Sequence, residues 1–382
     1  MQISIIKKNI LAYISFILIN LYYGFTDTIL GINNTFIILI AALAIMLIHI
    51  FLNNKFKIKE LIFNLIILGL FGYNYFLTKD SRILVLIITI YGIKELNLQN
   101  VLKVTFYMKI ITTLTVFVIS FLGFDDYYAG RAVLGFSHGN LLMLNITVIL
   151  LLYLCIYWKK INGMLFMLLL GIIFMSFLLT ESRSGLLVSV LIWLMAVVYK
   201  YFKIERVFEF LAKYLPFILM FLSVFLSLST TRNLLGFLNG IPGFASKFES
   251  LVNNLDNLLT NRLEIANLVM SNTDIQLLGS IRDESELNIY KYLVVDSGYI
   301  QLLLVFGILG TLLFLLLNYV MVKELIKRQQ YIYLIAFVAM TIYGFTENSL
   351  CSLKYNFTLL FFIQLYKPDV KYRLMNILHI KK

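Results

Sequence analysis

A short polar stretch lies between two long apolar runs in the middle of the chain. Residues 179–187 read LTESRSGLL and place Glu181 and Arg183 close together. An ionisable side chain beside a membrane-spanning run is costly, so it is a functional candidate by default. An arginine can hold a phosphate through two parallel hydrogen bonds, and a carboxylate can orient that arginine or contact a sugar. The simpler alternative is an Arg–Glu pair that reaches the membrane interface and pairs locally.

A glycine-containing loop adds two basic candidates. Residues 124–140 read FDDYYAGRAVLGFSHGN and contain Arg131 and His138. Arg131 is the stronger candidate, because a guanidinium grips a phosphate in a way that lysine cannot. His138 taken by itself is more often a satisfied interfacial histidine than a catalytic group.

Two carboxylates and one further arginine lie where apolar runs meet polar segments. Asp296 and Glu347 are candidates to accept or orient the proton of an attacking hydroxyl, a role worth ~10²- to 10⁴-fold in rate. Asp296 is the first choice, whereas Glu347 is equally well explained as a helix-capping carboxylate. Arg262 interrupts the boundary between the polar and apolar faces of a helical pattern. Its side chain is therefore predicted to point into a cavity.

The elements that must position these groups are hydrophobic. Of the 382 residues, 61% are hydrophobic and only 14% are charged. Soluble domains carry about 25% charged residues. The apolar runs are mostly long enough to cross a membrane as helices, and they lack the alternation of a membrane barrel. The chain is therefore predicted to be an all-α polytopic membrane protein.

Twelve apolar runs are candidate membrane spans. The fourth and the last are short, so each is open to a tilted, half-buried or re-entrant arrangement. The spans lie near residues 9–25, 33–52, 60–77, 82–93, 101–123, 139–157, 163–180, 185–202, 211–229, 299–321, 331–345 and 355–366.

The distribution of charge predicts the orientation. With both termini in the cytoplasm, most of the 32 Lys and Arg residues fall on the cytoplasmic side and most of the 20 Asp and Glu residues fall outside. This asymmetry agrees with the positive-inside rule. It also explains the net charge of +12 without a nucleic-acid partner. The first apolar run continues to about Phe25 with no small-residue cleavage site, so it is predicted to be a retained helix.

One segment is too long for a simple connection. Residues 231–298 separate the helices of 1–230 from those of 299–382, which end in a short basic tail. Within this large outer loop, residues 244–270 carry apolar side chains at helical spacing. They predict one amphipathic helix lying over the outer face of the bundle, with Lys247, Glu249 and Asp256 solvated. The polar stretch after it is predicted to be a surface loop.

Four short motifs resemble those of a known family, and they occur along the chain in the order that the family has. VDSGYIQLLLVFGILGTLL (295–313) resembles a loop-to-helix junction shared by bacterial O-antigen ligases and Wzy-type O-antigen and capsular polysaccharide polymerases. Asp296 stands where the ligases carry a histidine, and Gly307, Gly310 and Thr311 complete the spacing. Two such glycines also serve helix packing in membrane proteins.

The other three motifs lie earlier in the chain. LTESRSGLL resembles the Ser–Arg turn that these polymerases place between two central helices. GRAVLGFSHGN resembles an earlier outer loop, with Arg131 and Asn140 at the matching places. NRLEIANLVMSNTDIQLLG resembles a stretch in which an arginine begins a helix and a glycine follows, here Arg262 and Gly279.

The resemblance implies a polymerase of undecaprenyl-pyrophosphate-linked oligosaccharide repeat units in the bacterial cytoplasmic membrane. The growing glycan would pass from one lipid carrier to the sugar end of another, and a chain-length regulator is implied as a partner. No cofactor or metal is expected, because the donor carries its own pyrophosphate leaving group and the chain has no Gly-Lys-Ser/Thr loop or Asp-x-Asp motif. The predicted catalytic residues are Asp296, Arg183 and Glu181, and the predicted substrate-binding residues are Arg131, Arg262, His138, Asn140 and Glu347.

Three alternatives share part of this pattern. An O-antigen ligase has the same donor, but aspartate at position 296 argues against it. A lipid-linked oligosaccharide flippase leaves the long outer loop unexplained. A small-solute transporter would show two related halves with paired broken helices, and no such repeat is evident.

Overall fold

The fold is known from a computed structural model. It describes residues 2–31, 35–53, 58–124, 133–229, 244–258, 261–271, 273, 275–280 and 295–366. These residues form helices and no strand. The helices are α1 (Gln2–Phe25), α2 (Thr35–Asn53), α3 (Ile58–Thr78), α4 (Arg82–Ile93), α5 (Leu98–Ile119), α6 (Gly139–Tyr157), α7 (Gly163–Thr180), α8 (Arg183–Phe202), α9 (Glu205–Ser229), α10 (Phe244–Leu258), α11 (Arg262–Ser271), α12 (Gly298–Lys327), α13 (Tyr331–Thr346) and a 3₁₀ helix (Phe357–Tyr366).

Every predicted span coincides with one of these helices. Within the described ranges, seven helices are long and apolar enough to cross a membrane: Thr35–Asn53, Leu98–Leu122, Gly139–Lys160, Gly163–Thr180, Arg183–Phe202, Glu205–Leu228 and Gly298–Lys327. The chain is therefore an all-α protein with several candidate membrane-spanning helices. The count of twelve and the cytoplasmic location of both termini stay predictions.

The two short spans are buried inside the bundle. α4 has 12 residues, or about 18 Å at 1.5 Å per residue. The last span is a 3₁₀ helix of 10 residues whose side chains from Phe357 to Gln364 are all buried. A backbone that is not α-helical is tolerated at membrane depth only where protein surrounds it. Burial by the neighbouring helices therefore explains why this segment can lie in the bundle.

The helix ends meet at two opposite ends of the bundle. At one end, called here the site end, α8 and α12 begin and α13 ends, and Arg82 Nη1 donates to Asn348 Oδ1 at 3.1 Å. At the other end, Tyr333 OH donates to Gln99 Oε1 at 2.7 Å and Tyr331 OH to a carboxylate of α9 at 3.2 Å. The loops predicted to lie outside thus meet at the site end.

The predicted amphipathic helix of 244–270 is wrong as a single helix, because the chain forms α10 and α11. Asn261 has a left-handed φ of 61° immediately before α11. The predicted apolar face of α11 is buried: Leu263 is buried, and Ala266, Val269 and Met270 pack against residues of α9 and α12. On α10 the face is rotated from the prediction, since Leu251 is exposed and Val252 is buried.

α12 is broken one-third of the way along. Gly307 has φ 67° and ψ −173°, a backbone conformation open in practice only to glycine. A Cβ atom at this position would lie 2.4 Å from the backbone nitrogen of Gly279. The glycine of the GxxGT motif is therefore required by a helix break and a close backbone approach.

Residues 275–280 fill the break. Ile308 and Leu309, just after the break, donate their backbone N–H groups to the carbonyls of Gln276 and Leu277 at 3.1 and 3.0 Å. Asn74 of α3 donates to the carbonyls of Leu278 and Val305 at 2.5 and 2.7 Å. The surface loop predicted from residue 277 onwards is thus wrong for Gly279 and Ser280, which are buried beside α12, whereas Leu277 is exposed and 281–294 lies outside the described residues.

Candidate functional site

One guanidinium joins three separate segments at the site end. Arg262 Nε lies 3.0 Å from Asp296 Oδ2, and Nη2 lies 3.0 Å from Glu347 Oε1. Nη1 donates to the carbonyl of Thr346. The Arg262 side chain is only 13% exposed. Arg262, at the start of α11, therefore links Asp296, which lies just before α12, to the end of α13.

Arg262 is positioned by a buried carboxylate. Asp256 Oδ1 accepts from the backbone N–H of Leu263 at 2.8 Å, and Oδ2 accepts from that of Glu264 at 3.2 Å. A carboxylate at a helix N-terminus satisfies free N–H groups and interacts favourably with the helix dipole. The prediction that Asp256 is solvated is wrong, because the residue is buried and caps α11.

A close approach of two helix ends brings the two carboxylates together. Gly298 begins α12, and a Cβ there would lie 2.9 Å from the carbonyl oxygen of Gly344 and 3.0 Å from that of Glu347. Only glycine allows this contact without displacing α13. The contact brings Asp296 beside Glu347, which follows α13 in an extended conformation.

The two carboxylates share one guanidinium, and this affects their protonation. Burial raises the pKa of Glu347 to about 7, and the charge of Asp296 adds to this rise while Arg262 opposes it. Burial also raises the pKa of Asp296, against the opposing charges of Arg262 and His138. Asp296 is the more exposed of the two, at 36% against 9% for Glu347. Asp296 is therefore the carboxylate that ionises more readily and faces an incoming molecule.

His138 lies near this cluster. It caps α6, and its Nδ1 accepts the backbone N–H of Asn140 at 3.1 Å. When the ring is neutral, this hydrogen bond places the proton on Nε2. Asn140, predicted to bind substrate, contributes its backbone N–H to this arrangement. The acid-rich cluster is defined here as Arg262, Asp296 and Glu347, with His138 beside it.

The LTESRSGLL stretch forms a two-residue turn, as predicted. Glu181 has a left-handed φ of 49° and ends α7 by donating its N–H to the carbonyl of Phe177 at 2.7 Å. Arg183 begins α8, and its side chain and that of Glu181 are both exposed without pairing with each other. In the described part of the chain, the Arg183 side chain makes no hydrogen bond or ion pair.

Arg183 is nonetheless close to the acid-rich cluster. The hydroxyl of the next residue, Ser184, lies 3.5 Å from Glu347 Oε1, at the long limit of a hydrogen bond. The N-terminus of α8 also favours a negatively charged group at this point. Ser184 was not singled out from the sequence, because a serine carries no signal of its own. Arg131, the other predicted phosphate ligand, lies outside the described residues.

An apolar groove runs along the bundle below the turn. Its volume is 440 Å³, and it lies between α5, α6 and α7, with Phe117, Leu142, Ile172 and Thr180 among its lining residues. Thr180 directly precedes Glu181, so the groove reaches the polar turn. A molecule with a charged head and a hydrocarbon chain fits this juxtaposition.

A second cluster of charged groups was missed in the sequence. Lys354 Nζ pairs with Asp27 Oδ2, and the hydroxyl of Tyr355 donates to the same oxygen at 2.8 Å. Lys109 Nζ donates to Asn145 Oδ1 at 2.9 Å and lies 5.7 Å from the centre of the Tyr355 ring. These five residues are called the base-rich cluster. The available signal was Lys109, a lysine in the middle of a predicted span.

No protein-family model matches this chain, and neither the curated proteins nor the solved structures include one that matches it. Within the described ranges, no group of three or more His, Cys, Asp or Glu side chains is arranged to hold a metal ion. Function is therefore inferred from the geometry of the site and from the sequence resemblance.

Proposed function

We propose that the chain polymerises oligosaccharide repeat units carried on undecaprenyl pyrophosphate at a bacterial cytoplasmic membrane, for O-antigen or capsular polysaccharide. The observation that carries the proposal is the acid-rich cluster. Three residues chosen from the sequence, Arg262, Asp296 and Glu347, come from different segments and meet within hydrogen-bonding distance. A chain-length regulator as partner follows only from the family resemblance.

The reaction joins a sugar hydroxyl to an anomeric carbon. The hydroxyl oxygen of the acceptor repeat unit forms a bond to the anomeric carbon of the donor glycan, and the bond from that carbon to the pyrophosphate oxygen breaks. Undecaprenyl pyrophosphate leaves with the electron pair. Asp296 receives the hydroxyl proton, since it is the more exposed and more readily ionised carboxylate.

The other groups have distinct roles. Arg262 orients Asp296, because its Nε, Nη1 and Nη2 are already engaged by protein oxygens. Binding of pyrophosphate by Arg262 would have to compete with two carboxylates. Arg183 has no such competitor in the described part of the chain, so it stabilises the charge that builds on the leaving pyrophosphate. The groove below it accommodates the start of the polyprenyl chain.

The test is lengthening of a lipid-linked repeat unit by the purified protein in detergent, without an ion gradient. Wild type should give a ladder of products. Asp296→Asn should lower the rate about 10²-fold or more. Arg183→Lys should be nearly as damaging as Arg183→Ala, because the bidentate contact is lost in both.

Lys79→Met is the matched control, since Lys79 lies at the site end over the ring of Phe76, outside both clusters. Its ladder should equal that of wild type. Transfer to a lipid A core without lengthening would identify a ligase instead. Absence of any transfer by a well-folded wild type, with lipid-linked glycan moved across vesicles, would overturn the proposal in favour of a flippase.

A further inference from the structure

Lys109 is a charged side chain in an unusual place. It lies midway along α5, is only 6% exposed, and donates to the amide oxygen of Asn145 at 2.9 Å. Asn145 in turn donates to Thr113 Oγ1 at 2.7 Å. Within the described ranges no carboxylate pairs with Lys109. A buried amino group without a counter-charge is costly to protonate inside a membrane protein, and such residues mark sites of function.

The charge that acts on Lys109 is that of a second lysine, Lys354. Lys354 is buried, and within the described ranges it pairs with one carboxylate, that of Asp27. Both lysines lie beside Tyr355, with Nζ atoms 5.7 and 4.9 Å from its ring centre. Burial lowers the pKa of Lys354 to about 8, with Asp27 opposing the shift, so its ammonium is still charged at neutral pH. The cluster therefore holds two amino groups against one carboxylate.

The Asp27 side chain is the accessible part of this cluster. It is 44% exposed, whereas Lys354 is 8% exposed. The loop around it is held by the backbone, because Ser137 donates its N–H to the Asp27 carbonyl at 2.9 Å and Ile29 donates to the Gly135 carbonyl at 2.9 Å. The carboxylate can therefore swing away from Lys354 while the loop stays in place.

We propose that Lys354, Lys109 and the hydroxyl of Tyr355 form a binding site for a phosphate-type anion, which replaces the carboxylate of Asp27. A phosphate or pyrophosphate group supplies several acceptor oxygens to the two amino groups and the hydroxyl, and its negative charge favours the protonated form of both amines. The group could belong to free pyrophosphate or to a lipid pyrophosphate. Binding needs no glycan transfer, so this site can exist whether or not the proposed polymerase reaction occurs.

The experiment measures binding calorimetrically with the full-length protein in phosphatidylcholine nanodiscs. One arm uses inorganic pyrophosphate, and the other uses geranyl pyrophosphate, which adds a short prenyl chain to the same group. Tighter binding of the prenyl compound would assign the site to a lipid carrier. Equal binding would assign it to the free anion.

Two variants should change the affinity in opposite directions. Lys354→Met should weaken binding of the tighter probe about tenfold or more, since a charge-assisted contact contributes ~1.5–3 kcal/mol. Asp27→Asn should tighten binding severalfold, because it removes the competing negative charge, and asparagine tolerates the left-handed φ of 62° at this position. Lys79→Met serves as the control and should bind as wild type does.

A purely structural Asp27–Lys354 pair would give a different result. In that case Asp27→Asn and Lys354→Met would both lower the unfolding temperature, and neither would change pyrophosphate affinity in the expected direction. Unchanged binding in a folded Lys354→Met protein would overturn the proposal. So would weaker binding in Asp27→Asn, or no measurable binding of either probe to wild type.

Discussion

The acid-rich and base-rich clusters solve the same structural problem with opposite charge balances. Each joins segments distant in the chain through an ion pair, which is buried in the acid-rich cluster and exposed on the Asp27 side in the base-rich cluster. In the acid-rich cluster one guanidinium serves two carboxylates, whereas in the base-rich cluster one carboxylate serves one of two lysines. An excess of carboxyl groups suits the handling of a proton, and an excess of amino groups suits the binding of a phosphate. The difference suggests that the two tasks are assigned to neighbouring but separate places.

The largest expected effect comes from removing the shared cation. Arg262→Met leaves two carboxylates without their partner, and breaking a buried pair in this way costs ~3–5 kcal/mol. The unfolding temperature in detergent should fall sharply. Lys354→Met should cost less, because its partner Asp27 is 44% exposed and can be solvated.

The double variant Arg262→Met with Glu347→Gln sharpens this test. Removing the more buried negative charge should recover part of the lost stability. If the double variant is as unstable as the sum of the two single changes, Arg262 and Glu347 are not coupled. The inference that Arg262 stabilises both Asp296 and Glu347 would then be wrong.

The second effect is a dependence of stability on pH. The pKa of Glu347 rises from 4.5 to about 7 on folding, so the folded protein holds more protons than the unfolded chain between these values. Stability from Glu347 is thus present below pH 4.5 and is lost as the pH rises to about 7, in total about 3 kcal/mol. Arg262, Asp296 and Ser184 face it, and its charge also acts on Tyr343 and Tyr355.

The measurement compares unfolding temperatures of wild type and Glu347→Gln at pH 5 and pH 8. The wild type should lose more stability than the variant across this interval, because glutamine does not titrate. Parallel changes in the two proteins would show that Glu347 does not titrate in this interval.

The smallest expected effect is that of a substitution at the break in α12, which should alter the acid-rich cluster and leave the base-rich cluster unchanged. Gly307→Ala strains a backbone conformation reserved for glycine, at ~1–3 kcal/mol, and it pushes residues 275–280 away from α12. The segment from the start of α11 to the start of α12 carries Arg262 at one end and Asp296 at the other. Glycan lengthening should therefore fall severalfold, whereas pyrophosphate binding at the base-rich cluster should stay unchanged.

Gly69→Ala in α3 is the matched control, because a Cβ at Gly69 meets nothing within 4 Å. It should leave both activities as in wild type. Equal loss of lengthening and of anion binding in Gly307→Ala would mean that the two clusters form one mechanical unit.

Much of the fold follows from the sequence, because hydrophobic runs are local. The seventh predicted span, 163–180, has the bounds of α7, and the fourth, 82–93, has those of α4. Helix length in a membrane is set by the bilayer thickness and needs no knowledge of the neighbouring helices. The break between α10 and α11 was not foreseen, since the helical pattern continues across it and only the capping by Asp256 ends it.

The candidate residues were also visible by type, as charged groups next to apolar runs. Their partners were not, because a pairing depends on which helix ends meet. Arg262 and Glu347 are 85 residues apart, and Asp27 and Lys354 are 327 apart. The sequence predicts Gly307 to be a helix-packing residue, because nothing near it in the chain indicates that residues 275–280 pack into a helix break at this position. The sequence by itself determined a helical membrane bundle and its ionisable groups, whereas tertiary packing decided which of these groups pair with each other, because pairing depends on which helix ends meet.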